Sequence, residues 1–381
     1  MGVDTALLFA VAYGVFMGSY PVPIKTQAVL EANVHPLIFQ SFKSFWVFVT
    51  GFLALIPVYA SQKTYHFTWW GVASAASWVP SGFCTIFGVT HVGLSMTIVI
   101  SCASNAVLSF LVFWLVFDED IKQHEINGHE IFLAPAYLTA IVIGMVGLVY
   151  SPKLNTSTVA KTEPTASQSA PPPMSASREL LMPVANDSHV IQAAVEPERK
   201  GGLLRGALGM LAGLGSGVFG AIQYGCVNAG KRYERHKAGC ADDPDACPAA
   251  LREQFDNFGS WMVSFGLGAA LVTLSFLALL SAGRRVLAGK PPPPLHLKVM
   301  RVPGSIAGLC WALANFCGTA ANARGGSAIT MAQMSAIQLV TSGLWGLLFY
   351  GEIRGRAMYV WAFFAVWTMG AIVLLGLEKG A

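Results

Sequence analysis

The chain is 381 residues long, 54% apolar and only 12% charged, with a net charge of +4. A soluble domain usually carries about a quarter charged residues, so the composition excludes an ordinary globular protein. The small net charge is dispersed, with no basic stripe and interleaved aromatics, so no nucleic-acid partner is predicted.

Charge is absent from long runs such as Leu7 to Ile24, Ser44 to Ser61 and Val92 to Phe117. A helix crosses the hydrocarbon core with about 20 apolar residues, and these runs lack the polar face of a soluble core helix. The sequence predicts an all-α polytopic membrane protein, its partner the lipid bilayer, with ten spans near 5–24, 37–59, 69–89, 92–117, 131–150, 203–227, 257–281, 302–321, 326–350 and 357–377. No cleavable signal is expected; the first span follows Met1–Asp4 and serves as the targeting signal.

The first span breaks at Pro21 and Pro23, and Lys25 follows. The second carries Gln40 and, three residues on, Lys43, which share a helical face. Each lysine can either line a cationic mouth suited to an anionic solute or snorkel to the interface. In the third span Trp69 and Trp70 fit an interfacial belt, whereas Trp78 is near the centre and offers a sugar ring a flat face and one donor, or else fills space between helices. The fourth span has Asn105 at its centre, with Ser101 and Ser104 on the same face; these groups either face a cavity or bond neighbouring helices together. The acidic run Asp118–Asp120 is predicted as a solvated end, after which the fifth span begins.

From 151 to 202 Pro, Ser, Thr and Ala dominate around Pro171–Pro173, and a disordered linker is predicted. It divides the chain into a five-span repeat at 1–150 and another at 203–381. In the sixth span Gly209, Gly213, Gly217, Ala221 and Gly225 form a small-residue stripe for close helix packing. Gln223 and Asn228 are weaker polar candidates; they correspond to Tyr20 and Lys25 at a shift of 203. The eighth span carries Trp311 and, one turn later, Asn315; the ninth has Gln338 at its centre.

The halves are related. At a shift of 233, residues 71–119 align without a gap to 304–352, pairing Gly71 with Gly304, Trp78 with Trp311, Phe83-Cys84 with Phe316-Cys317, and Glu119 with Glu352. Asn105 falls on Gln338. Because each repeat has an odd number of spans, the second enters the membrane inverted. Secondary transporters use such symmetry to rock around one midplane site.

These residues carry a resemblance. Gly18-Ser-Tyr-Pro-Val-Pro-Ile-Lys25, Pro303–Asn315 and Ser342–Glu352 resemble the first, eighth and ninth spans of the sugar-transporter branch of the drug/metabolite transporter superfamily, which holds the transmembrane protein 144 family and the glucose/ribose porters. The resemblance covers nearly all of the membrane part and none of the linker. It implies a secondary transporter of a carbohydrate, with Gln40, Lys43, Trp78, Asn105, Trp311, Asn315, Gln338, Lys25 and Gln223 as candidate substrate-binding residues. The alternatives are an exchanger of nucleotide sugars or sugar phosphates, suggested by the lysines, and a non-transporting receptor or scaffold, which has no need of an inverted repeat.

Neither catalytic residues, a metal site nor a cofactor is predicted: His91, His124 and His129 lack metal spacing, and there is no ATP-binding loop. Orientation is read in two ways. Of 24 Lys and Arg, nine fall on the N-terminal side and fourteen on the linker side, with Lys43 inside a span, which makes the linker cytosolic. The sequons at Asn155 and Asn186, and the resemblance, make it lumenal instead, and on that preferred reading Cys240 and Cys247 are cytosolic and reduced.

Overall fold

The computed structural model describes residues 2–60, 65, 67–92, 94–126, 128–151, 202–240, 247–248, 258–349 and 355–379. Among them are ten helices of 17 residues or more: α1 (Gly2–Ser19), α2 (Pro36–Leu53), α3 (Trp69–Val92), α4 (Leu94–Leu115), α5 (Ala134–Tyr150), α6 (Gly202–Lys237), α7 (Phe258–Ala288), α8 (Pro303–Gly325), α9 (Ser327–Leu348) and α10 (Arg356–Gly376). Eight are long and apolar enough to cross a membrane. Of the other two, α5 is apolar but only 17 residues long, and α9 has 22 residues with several Ser, Thr and Gln. The chain is an all-α, multi-pass membrane protein.

Local chemistry sets the helix ends. Pro36 opens α2, preceded by His35, whose Nδ1 accepts the Leu37 N–H at 3.2 Å. Proline suits the first turn because its missing N–H has no intrahelical partner there. Pro303 opens α8 in the same way. Gly326, at φ +76°, makes the tight turn from α8 into α9, a conformation that disfavours any residue with a Cβ.

Large apolar side chains point outward, including Leu211, Leu274, Phe363 and Val366, as a lipid-facing surface requires. Small residues point inward. Helix α6 packs on α3 and α4; α1 on α8 and α9; α7 on α2 and α3; α8 on α2; α9 on α4 and α10; and α10 on α5. The glycine stripe lies along the α6 contact. Gly209 meets His91 and Val92, Gly213 meets Ile100, and a Cβ on Gly217 would overlap Ser104 Oγ and come within 2.6 Å of the Ser101 carbonyl. Gly225 faces open space.

Several features depart from the sequence reading: α2 ends at Leu53 and a separate short helix, Leu55–Ala60, completes the predicted span at 37–59, while α7 runs to Ala288, past the predicted end at 281. The segment between α4 and α5 contains a β-hairpin, β1 (Gln123–Ile126) with β2 (His129–Phe132), paired antiparallel with Gln123 opposite Phe132. Gly128, at φ +78°, supplies the left-handed turn position. Helix α6 also runs to Lys237, past the predicted end at 227, because the polar residues there remain good helix formers outside the apolar layer. The predicted linker, including Asn155 and Asn186, lies outside the described residues apart from Ser151 and Gly202, as does Glu352.

Candidate functional site

The two tryptophans paired by the sequence shift of 233 meet. Trp78 on α3 and Trp311 on α8 have ring centroids 4.1 Å apart, and Phe265 of α7 is 5.5 Å from the first and 5.9 Å from the second. Both indoles are buried. Neither Trp is interfacial, in contrast to Trp69, which is exposed at the start of α3. The rings hold their positions because α2, α3, α7 and α8 pack together around them.

Lys43 projects from α2 into this aromatic group. Its Nζ lies 4.7 Å from the Tyr20 ring centroid, 5.4 Å from Trp78 and 5.7 Å from Trp311. At 2% exposure it reaches no water, which rules out snorkelling in this conformation. Among the described residues the ion pairs are His124–Glu378 and Arg232–Asp118, and neither includes Lys43. Burying an ammonium costs several kcal/mol. A cation over a desolvated aromatic face recovers about 2 kcal/mol, so the three rings offset much of that cost without supplying a hydrogen-bond acceptor.

Gln40 lies one turn before Lys43 on α2. It is 0% exposed, and neither Oε1 nor Nε2 has a hydrogen-bond partner. Its amide rests against Gly82 of α3, where a Cβ would overlap Oε1. An unmade buried amide costs about 1–3 kcal/mol. A donor and an acceptor are thus held ready beside a cation and two indole faces.

The remaining candidates divide into smaller groups. Gln223 donates through Nε2 to Asn315 Oδ1 at 3.3 Å, and both are buried, Asn315 one turn beyond Trp311. Ser74 Oγ donates to the Gln223 carbonyl at 2.7 Å and fixes α6 against α3. Asn105 donates to Ser335 Oγ at 3.0 Å, joining α4 to α9, and its Oδ1 lies near Gly220, one turn before Gln223. Gln338 is buried where α9 meets α1, and its carbonyl accepts from Ser342 at 3.0 Å and crowds Gly18. The Asn105 side chain thus joins α4 to α9, and the Gln338 backbone packs against α1. Ser101 bonds Ser216 of α6 at 2.9 Å. Lys25 ends the 3-10 turn Val22–Lys25, and its side chain lies outside the described residues. Asn228 is at the far end of α6, away from the aromatic group.

That end of the bundle is tied shut. Glu119 accepts from the Ala328 N–H at 2.7 Å and from Asn228 Nδ2 at 3.0 Å, while Asn228 also donates to Ser327 Oγ at 3.1 Å. The carboxylate caps the first turn of α9, where the helix dipole favours negative charge. Glu119 is therefore a structural cap, contrary to the prediction of a solvated acidic end. His124 Nε2 contacts Glu378 Oε2 at 2.8 Å, and Lys379 Nζ donates to the Arg324 carbonyl at 2.7 Å. Cys240 and Cys247 form a disulfide, which corrects the expectation of reduced thiols.

Sequence reasoning missed the roles of Tyr20, whose ring lies under Lys43, and of Phe265, which packs on both tryptophans; aromatic side chains in apolar spans carry no mark separating a cation cage from core. It also missed Ser335, one of several hydroxyls in α9.

No family model matches the chain, and no curated protein matches it. A solved structure titled only "Crystal structure of protein" is similar to it at 13% sequence identity with a TM-score of 0.50, covering 97% of this chain and 98% of that chain. At that identity the likeness concerns the fold alone.

Proposed function

We propose that this protein is a secondary transporter that carries a small polar solute, a carbohydrate, by alternating access around the Trp78–Trp311 site. The observation that carries this reading is the pairing of two facing indoles with the unpartnered, fully buried amide of Gln40. Indole faces stack on the apolar face of a sugar ring, and Gln40, Asn315 and Gln223 supply amides for its hydroxyls. No cofactor or chemistry beyond binding and release is required.

The pattern of helix contacts supports an inverted repeat of α1–α5 and α6–α10. Exchanging each helix with its counterpart five places on turns α1–α8 into α6–α3, α1–α9 into α6–α4, and α2–α8 into α7–α3. The contacts α4–α9, α5–α10 and α2–α7 map onto themselves. All of these pairs pack together. A two-fold axis in the membrane plane would bring Trp78 against Trp311, and two-fold repeats of this kind suit rocking between two states. The Glu119 hydrogen bonds tie together the end nearest the termini, as a gate on that side would require.

We also place that end in an oxidising compartment. Disulfides persist there and are rare in the cytosol, and the Lys and Arg counts agree by putting more cations on the opposite side.

The test is uptake of labelled monosaccharides into proteoliposomes holding the purified full chain. Uptake should saturate, and Trp78→Ala or Trp311→Ala should reduce it at least tenfold while Trp69→Ala, at an exposed position, leaves it unchanged. Lack of protein-dependent uptake of any sugar, neutral or charged, refutes the transporter reading.

A further inference from the structure

Lys43 and Gln40 raise a question that a neutral sugar does not answer. Hydroxyls can satisfy amides, and Gln223 and Asn315 already stand near Trp311 for that purpose. They cannot neutralise a cation. The Lys43 ammonium has three N–H donors and is enclosed by ring faces, with no carboxylate against it among the described residues. One turn away, Gln40 keeps a buried N–H2 and a buried carbonyl with no partner. Both side chains leave the same face of α2, toward α3 and α8. A group with at least two acceptor oxygens and a negative charge would take a proton donor from each residue and cancel the charge.

We propose that Lys43 and Gln40 form an anion subsite, and that the solute is a monosaccharide bearing one anionic group, a carboxylate or a phosphate, whose ring lies on the Trp78–Trp311 faces. This rests on the transport reading above and narrows its substrate class. Lys43 is the one cation seen against these rings among the described residues, so the site matches a single anionic group. A nucleotide sugar would bring two phosphates to one ammonium. Charge-assisted hydrogen bonds are shorter and about twice as strong as neutral ones, and desolvation strengthens them further, so the pair would discriminate strongly for charge. Because an ammonium is a point charge on a flexible stem and not a planar fork, the subsite accepts either anion chemistry.

The experiment measures uptake of labelled glucose, glucuronate, glucose 6-phosphate and UDP-glucose by the same proteoliposomes. Wild-type protein is expected to take up glucuronate or glucose 6-phosphate at least tenfold faster than glucose at equal concentration, and to discriminate against UDP-glucose. The relative rates of the first two identify carboxylate or phosphate as the preferred anion. In Lys43→Gln the ratio of anionic to neutral uptake should fall at least tenfold. Gln40→Leu, which keeps the lysine, should lower that ratio by a smaller factor. Taking a ratio within one preparation separates loss of recognition from loss of folded protein, and the wild-type preference decides the matter even where a variant fails to fold. Glucose uptake equal to or faster than both anions overturns the subsite while leaving the transporter reading intact. An unchanged ratio in Lys43→Gln overturns it as well. If none of the four solutes enters, both fall together.

Discussion

Glu119→Gln isolates the charge that holds the first turn of α9. The amide keeps the size of the side chain and one acceptor oxygen, so either the Ala328 N–H bond or the Asn228 bond can persist in neutral form. What disappears is the negative charge beside the positive end of α9, one of the two bonds outright and the charge assistance in the other. A hydrogen bond to a charged group contributes about 1.5–3 kcal/mol against about 1 kcal/mol for a neutral one, and the dipole contributes about 0.3–1 kcal/mol more at a part-buried position. The expected loss is about 2–4 kcal/mol, a factor of roughly 30–1,000 in the equilibrium for opening this end. Hydrogen exchange read by mass spectrometry on peptides covering Ser327–Met334 measures that opening directly. Exchange there should accelerate by about that factor, while peptides from α5 keep the wild-type rate. Wild-type exchange throughout α9 would refute the assignment of Glu119 as its cap. Equal acceleration across every helix would show instead that the substitution lowers global stability.

Gly217→Ala should lower the thermal midpoint, because its Cβ meets backbone atoms at 2.6 and 2.9 Å and the α4–α6 contact must open, at about 1–3 kcal/mol. Gly225→Ala, facing open space, should match or exceed the wild type; equal melting of the two variants would remove the close-packing argument. The thiols of Cys240 and Cys247 should react with a bulky maleimide only after reduction, and Asn155 and Asn186 should carry no glycan, so a glycosidase-sensitive gel shift would reverse the orientation. His35 is held below its ordinary value of 6.5 by burial and by the Arg284 charge, which means the fold favours the neutral ring that caps Leu37. That contribution is complete above about pH 6.5 and is lost as pH falls below it, by about 1 kcal/mol for a cap. Melting at pH 8 and pH 5.5 should therefore differ less in His35→Asn, which keeps an acceptor that does not titrate; an identical pH dependence would exclude the cap.

The apolar runs carried most of the fold in the sequence. Eight of the ten predicted spans fall on helices long and apolar enough to cross a membrane, because a hydrocarbon solvent demands internally bonded backbone and twenty apolar residues mark where that demand applies. Trp78 and Trp311 were legible as a pair through their common shift of 233, and they touch. The hairpin at 123–132 was hidden by attention to the acids before it, although Asn127-Gly128 between alternating residues is a turn signal. Asn105 shared depth with the tryptophans, yet depth does not fix the direction a side chain takes around its helix, and its amide bonds Ser335 of α9. Gln40 and Lys43 shared a face in the sequence; that the face is covered depends in part on Trp311 of α8, more than 200 residues away.

Helix α9 is buried along every residue from Ser327 to Leu339, including Thr330, Gln333, Ser335 and Gln338. That stretch has no lipid-facing side and no need to be apolar, unlike the later part of α9 with Leu344 and Leu348 exposed, and it would partition poorly into a bilayer by itself, since insertion from the translocon weighs each side chain against lipid. Only Gly326 separates it from α8, itself among the least hydropathic of the spans. The two are therefore suited to entering as one hairpin, delivered into a cleft already lined by α1 and α4, which were synthesised first. The order of the chain thus becomes an assembly instruction: a helix whose buried first half is rich in Ser, Thr and Gln arrives late, when protein instead of lipid is waiting to receive it.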